Sequence, residues 1–237
     1  MTFRIVNLGQ VGSTQDEMRT RVEAGEDVSG LCLRAGAQVA GKGRRGTAWS
    51  SPPGGSYQSV GLGQETWPWL TLALGLGVAR SLTALPGAPS VLVKWPNDLY
   101  LREGKLGGIL TEVVSGQVIA GVGVNVTNPV GVEAARLEGQ SVGAVSDAVL
   151  AGLAEGLELA RAGGPAVKEA FAAVDFLAGR SVVVSIGDPA EERGRVTGHA
   201  RGVSAQGALV VEVEDLEGVR ESRLIEAGHV LRFGVAT

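Results

Sequence analysis

Three cations set among glycines offer the clearest chemistry in this sequence: Lys42, Arg44 and Arg45 alternate with Gly41, Gly43 and Gly46 between Gln38 and Ser51. Glycine lets a backbone turn sharply and approach a ligand closely, and guanidinium forks match carboxylate and phosphate oxygens, so the pattern suits enclosing an anion. Taken alone, such a stretch is more commonly a solvated surface turn or a weak polyanion contact. A second group is the single cation Lys94, which stands between apolar residues in Val91-Leu92-Val93-Lys94-Trp95. A partly buried ammonium there needs an anionic partner, which is either a ligand or a structural ion pair. The third group is neutral. Ser13 with Asp16, and Thr14 with Glu17, form capping-box patterns, and a helix start of this kind serves as a cap, as a site for a polar ligand, or as both.

The elements that must position these residues are readable in order. Thr2 to Leu8 is a strand candidate, and a helix runs from the Ser13 region to about Glu23. Ser29 to Gln38 is a strand leading into the glycine-rich loop, and Ser56 to Gly63 is its return. Pro68 occupies a first helical position, and Leu70, Leu72, Ala73, Leu76, Ala79 and Leu82 outline a buried helix. The Lys94 strand is followed by a turn at Pro96-Asn97-Asp98, a short strand at Leu99 to Leu101, and a strand carrying Lys105, Gly107 and Gly108, where glycines mark a bulge or close approach by a ligand ring. Val118 to Val126 is another strand, and 127–143 is mostly loop, a candidate lid. Helices follow at Ser146 to Ala162, with Ser146 as cap, and from Gly164 to about Phe176. Beyond Gly179 come five short strands near Val182 to Ile186, Gly194 to Val203, Ala208 to Val213, Arg220 to Ile225 and Val230 to Phe233. They are separated by Gly-Asp-Pro, Ala-Gln-Gly and Leu-Glu-Gly turns, the pattern of a small barrel. The expected boundary falls near Ala178.

Composition narrows the function classes. A formal net charge of −4 argues against a general nucleic-acid binder and makes the basic loop a local feature. Cys32, the one cysteine, lies between Leu31 and Leu33 and reads as a buried, inert thiol of a reducing compartment. The N-terminus shows no signal pattern, and the uncharged run from Val113 to Val132 is broken by Ser115, Gln117, Asn125, Asn128 and Pro129. These features predict a cytoplasmic protein with no membrane span.

The motifs taken together resemble the biotin protein ligases over almost the whole chain. They are Ser13-Thr14-Gln15; Gln38 followed by Gly41-Lys42-Gly43-Arg44-Arg45-Gly46, against the family's G-R-G-R-x-G; Trp49 and Ser51-Pro52; Lys94-Trp95-Pro96-Asn97-Asp98; Lys105-Leu106-Gly107-Gly108-Ile109-Leu110; and Gly121-Val122-Gly123-Val124-Asn125. The resemblance implies an α+β fold, with a mixed-sheet catalytic domain of the biotin/lipoate ligase type over 1–178 and a small SH3-like β-barrel over 179–237. It implies activation of biotin by ATP, accompanied by Mg2+, to biotinyl-5'-AMP, then transfer to a lysine of a biotin carboxyl carrier protein of acetyl-CoA carboxylase or a related carboxylase. By the same resemblance Lys94 and Arg44 are catalytic. Biotin falls to Ser13, Thr14, Gln15, Gln38, Lys42, Gly43, Arg44, Lys94, Gly107 and Gly108. The adenylate falls to Arg44, Arg45, Trp49, Asn97 and Asn125.

The loop is then a closing flap that orders when its cations meet a counterion. Lys42 departs from the family's arginine and loses the bidentate fork. A homodimer through sheet edges is a further family expectation, and no DNA-binding domain is expected, since only twelve residues precede Ser13. The alternatives are a lipoate-type ligase of the same superfamily and a non-catalytic relative that uses the basic loop on nucleic acid.

Overall fold

The computed structural model describes residues 2–186, 194–215 and 217–236. The turn at Gly187-Asp188-Pro189, and Leu216 of the Leu-Glu-Gly turn, lie outside these residues. The chain runs β1 (Arg4–Val11), α1 (Thr14–Glu23), β2 (Leu31–Gln38), β3 (Gly55–Gly63), α2 (Leu70–Thr83), β4 (Leu92–Lys94), β5 (Asp98–Leu101), β6 (Gly104–Val114) and β7 (Gln117–Asn125). It continues with α3 (Val142–Ala162), α4 (Gly164–Ala172), β8 (Arg180–Ser185), β9 (Arg195–Val203), β10 (Leu209–Glu214), β11 (Arg220–Ile225) and β12 (His229–Ala236).

The first seven strands form one mixed sheet in the order β1-β2-β3-β7-β6-β5-β4, in which β1 and β2 are parallel and the other pairs antiparallel. The last five form an antiparallel sheet, β11-β10-β9-β8-β12, consistent with a small barrel. The α+β class therefore stands. Leu74, Leu76, Val93, Ile109, Leu153, Phe171, Val184 and Leu209 belong to one buried cluster, so the apolar core is continuous from the mixed sheet into the second. Trp95 Nε1 donates to Gly207 O at 2.9 Å across that junction. Among the described residues no helix is long and apolar enough to cross a membrane.

Differences from the sequence reading have identifiable hydrogen-bonding causes. α2 begins at Leu70, two residues beyond Pro68, because Leu70 N first closes a turn onto Trp67 O. α3 begins at Val142 under a Ser141 cap, whose side chain accepts from Ala144 N at 3.1 Å. Ser146 is instead buried and exchanges a 2.8 Å hydrogen bond with Ser56. α4 stops at Ala172 because the following residues pair with β4: Val93 N donates to Val174 O and Phe176 N to Val93 O. The 127–143 stretch is not a lid. Glu133 and Ala135 bracket Lys105 through backbone hydrogen bonds and Leu137 is fully buried, which ties the segment to the edge of β6.

The close crossing of α2 and α3 depends on glycine. A Cβ at Gly77 would lie 2.1 Å from Gly152 O and 2.5 Å from Gly156 N, both backbone atoms that cannot move aside. Gly77→Ala is therefore expected to cost about 1–3 kcal/mol through overpacking. The measurement is urea unfolding, with a lower midpoint and an unchanged slope.

Candidate active site

Lys94 and Asp98 are register partners at the turn end of the β4/β5 hairpin, so the turn at Trp95-Pro96-Asn97 sets an ammonium opposite a carboxylate. Lys94 Nζ lies 3.5 Å from Asp98 Oδ2, with the two side chains 7% and 12% exposed. The other oxygen, Asp98 Oδ1, receives Lys105 Nζ from β6 at 2.7 Å. One carboxylate thus serves two ammonium groups. Lys94 Nζ also stands 5.4 Å from the centroid of the Tyr100 ring and 5.5 Å from that of Phe233. Burial pushes the Lys94 pKa below the ordinary lysine value; Asp98 opposes that shift, while Lys105 and Arg44 add to it. An ammonium with a single long contact and cationic neighbours is poised to accept a further anion.

The loop from Gln38 to Ser51 folds as a hairpin over this point. Gln38 N donates to Ser51 O at 2.9 Å, Trp49 N to Gly41 O at 2.8 Å, and Gly43 N to Thr47 O at 2.7 Å. At its tip Arg44–Gly46 make one 3-10 turn, in which Arg45 takes a left-handed φ of 54°, a conformation that costs a non-glycine residue about 1 kcal/mol or more. Arg44 Nη1 makes two long contacts of 3.4 Å, to Asn97 Oδ1 and to Gly228 O, which leave most of the guanidinium fork for a ligand. Burial and then Arg45 depress the Arg44 pKa, against the pull of Asp98. Lys42 binds Asp16 Oδ1 at 2.7 Å, a single-point contact of the sort lysine makes where the family carries arginine. Trp49 lies on β7: a Cβ at Gly123 would fall 2.5 Å from its Nε1. That buried indole N–H has no hydrogen-bond partner among the described residues.

The opposite end of the cavity is polar and neutral. Ser13 caps α1 through a long 3.5 Å contact from Asp16 N and is almost fully buried. Gln38 Oε1 accepts from Thr14 N at 2.8 Å and from Thr14 Oγ1 at 3.1 Å, and Gln38 Nε2 donates to Ser51 Oγ at 2.8 Å. Gln15 Oε1 accepts from Ser59 Oγ at 2.9 Å, and Gln15 Nε2 donates to Glu112 at 2.7 Å. Capping and pocket-lining therefore coexist at the start of α1. Cys32 is fully buried, and burial raises its thiol pKa to about 11, as an inert core residue requires.

A cavity of about 540 Å³ connects the two ends, and its walls include Ser13, Thr14, Gln15, Gln38, Lys42, Gly43, Arg44, Arg45, Trp49, Lys94, Asn97 and Gly108. Two expected residues lie outside this wall. Gly107 faces the neighbouring strand, where a Cβ would meet Gly123 O at 2.4 Å. Adjacent strand residues point to opposite faces, so Gly107 and Gly108 cannot both admit a ring. The Asn125 side chain is spent on structure, donating to Ala135 O at 3.1 Å and accepting from Asn128 Nδ2 at 3.0 Å. No residue of 127–143 lines the cavity among the described residues. Conversely, Asp98, Lys105, Ser59, Gly121, Gly123 and His229 line it without having been singled out. Lys105 and the β7 glycines stood inside recognised motifs, but His229 comes from the second sheet and carried no motif at all.

Residues 11–127 match the Biotin/lipoate A/B protein ligase family. The chain is 34% identical over 227 residues to the bifunctional ligase/repressor BirA of Escherichia coli, a match covering 87% of this chain and 68% of that protein. It is 41% identical over 129 residues to the biotin--[acetyl-CoA-carboxylase] ligase of Mycobacterium tuberculosis, covering 51% of this chain and 48%, about half, of that relative's length. A solved structure of the biotin protein ligase from Aquifex aeolicus in complex with biotin and ATP superposes with a TM-score of 0.78 at 27% identity, covering 97% of this chain and 99% of that one. Fold and cavity thus define a ligase architecture, and the chain belongs to the biotin/lipoate A/B protein ligase family. Within it, the relatives named here carry the biotin, not the lipoate, designation or that of a ligase/repressor.

Because Gly123 is what lets Trp49 lie flat on β7, Gly123→Ala is expected to lift the loop while leaving the sheet intact. The expected outcome is a red-shifted tryptophan emission and several-fold faster tryptic cleavage after Lys42, Arg44 or Arg45. Unchanged cleavage would show that the loop's own backbone hydrogen bonds hold it.

Proposed function

We propose that this chain is an ATP-dependent biotin protein ligase, which forms biotinyl-5'-AMP and passes the biotinyl group to a lysine of a biotin carboxyl carrier protein. The observation that carries the proposal is the buried Lys94 ammonium at the cationic end of a cavity whose other end is a neutral hydrogen-bonding cluster. Biotin has matching ends, a carboxylate and a ureido group that both donates and accepts. The volume falls in the ~300–1,000 Å³ range of small-molecule sites.

In the first step a carboxylate oxygen bonds to the α-phosphorus of ATP and the bond to pyrophosphate breaks. Attack of one anion on another is opposed by charge, and Lys94, Arg44 and Lys105 supply fixed cations that offset it without reorganising. Trp49 presents a ring face to the adenylate, and Arg45 stands on the same loop in the cavity wall. Ser13, Thr14, Gln15 and Gln38 take the ureido end; lipoate lacks that group and would leave buried polar atoms unpaired. Asn97 holds Arg44, and Gly108 gives the ring room beside Asp98.

Magnesium enters only as the ion that accompanies ATP. Among the described residues no group of three or more His, Cys, Asp or Glu side chains could hold a metal, and no step is drawn through one. The carrier protein, a cytoplasmic location and a homodimer through a sheet edge belong to the same proposal. The last is supported by β6, which among the described residues has no strand partner beyond Gly108 on its outer side and exposes Val113. The division into a catalytic biotin/ATP-binding domain over 1–178 and an SH3-like barrel domain over 179–237 belongs to the proposal too, supported by the change from a mixed to an antiparallel sheet.

The test is biotin-dependent exchange of labelled pyrophosphate into ATP. Exchange with lipoate and none with biotin would move the assignment to the lipoate branch. A charge-assisted hydrogen bond contributes about 1.5–3 kcal/mol, so Lys94→Ala is expected to slow exchange at least about 10- to 100-fold. The fold should survive, because Asp98 keeps Lys105; normal exchange in that variant would remove Lys94 from the chemistry. Arg44→Gly is expected to let the activated intermediate escape, read as biotin on the lysines of a bystander protein such as serum albumin. Equal bystander labelling by both forms would contradict retention by the loop.

A further inference from the structure

The second half of the proposed reaction has a requirement that the motifs do not meet. A carrier lysine attacks the biotinyl carbonyl carbon: an N–C bond forms, the C–O bond to phosphate breaks, AMP leaves with the electron pair, and the new amide nitrogen must lose a proton. Lys42, Arg44, Arg45, Lys94 and Lys105, the cations of the cavity wall, are donors only. Asp98 has one oxygen on Lys105 at 2.7 Å and the other on Lys94 at 3.5 Å. The amides of Gln15, Gln38 and Asn97, and the hydroxyls beside them, are not bases at neutral pH.

His229 is the one imidazole in this wall. It opens β12 and faces solvent at the rim, and its neighbour Gly228 accepts from Arg44 Nη1. No hydrogen bond engages its ring among the described residues. The charged groups that act on it come from four elements: Lys94 of β4 most strongly, then Asp98 of β5, Arg44 of the loop and Lys105 of β6. Partial burial comes first and these cations second in depressing its pKa, with Asp98 opposing, so the ring stays unprotonated at neutral pH. The same cations expel a proton once it is accepted, and the exposed rim delivers it to water.

We propose that His229 is the general base of the transfer half-reaction, taking the proton from the attacking carrier lysine at its unprotonated ring nitrogen. The proposal rests on the ligase reading above. A positioned base contributes about 100-fold or more to such a step. The experiment compares both half-reactions in wild type, His229→Ala and His229→Gln: pyrophosphate exchange for adenylation, and single-turnover transfer from preformed enzyme-bound biotinyl-adenylate to the carrier domain of acetyl-CoA carboxylase.

The expected result is a ratio of transfer to adenylation about 100-fold lower in both variants, partly restored by added imidazole. In wild type the transfer rate should rise with pH through an inflection below the ordinary histidine value, which the variants lose. Unchanged transfer, an equal fall in both half-reactions, or a deficit that imidazole leaves untouched overturns the role of His229. A wild-type chain that forms no adenylate overturns the ligase assignment itself, and is distinguishable because that loss precedes any variant.

Discussion

The pairing of two lysines on one buried carboxylate is the constraint on which the site depends. Removing an ammonium from water is costly unless a partner offsets it, and Asp98 offsets Lys94 incompletely because it is shared with Lys105. The result is stored demand for negative charge at one point in the protein, met neither by the fold nor by solvent. Every element around it limits relief by other means: the Trp95-Pro96-Asn97 turn sets the two residues in register, and Tyr100 and Phe233 close the apolar side with ring faces that tolerate a cation.

Missing side chains matter as much as present ones. Gly121 leaves room for the Gln15 carboxamide, where a Cβ would meet Oε1 at 2.6 Å, and Gly123 leaves room for Trp49. Strand β7 therefore forms a bare floor between the neutral and the cationic ends, and the loop can lie close to it. Polar discrimination at one end and charge at the other are thus separated by a surface that competes with neither.

The second sheet is part of this arrangement, not an appendage. Its strand β12 brings Val230 and His229 to the cavity and Phe233 to the aromatic cluster, where the Phe176 and Phe233 centroids are 5.2 Å apart and the Arg180 guanidinium is 4.6 Å from the centroid of the Phe176 ring. The continuous core that joins the sheets is what lets a residue near the end of the chain act beside one at Lys94.

How much of this was legible in the sequence follows from the range of each interaction. The helix cap at Ser13, the glycine-rich turn, the apolar flanks of Lys94 and the short strands after Gly179 are local patterns, and backbone sterics and burial periodicity determine them within a few residues. α3 begins earlier than the sequence reading because the local Ser141 cap starts it, whereas α4 stops early because the 174–176 segment hydrogen-bonds to Val93 across the fold. The sequence by itself thus determined which residues could carry charge, turn sharply or cap. Only the tertiary structure decided that Asp98 is shared, that Gly108 and not Gly107 faces the cavity, that Asn125 is spent on a loop, and that His229 arrives at the rim. Those facts depend on register, pleat and the docking of two sheets, which are set by packing between segments far apart in the chain.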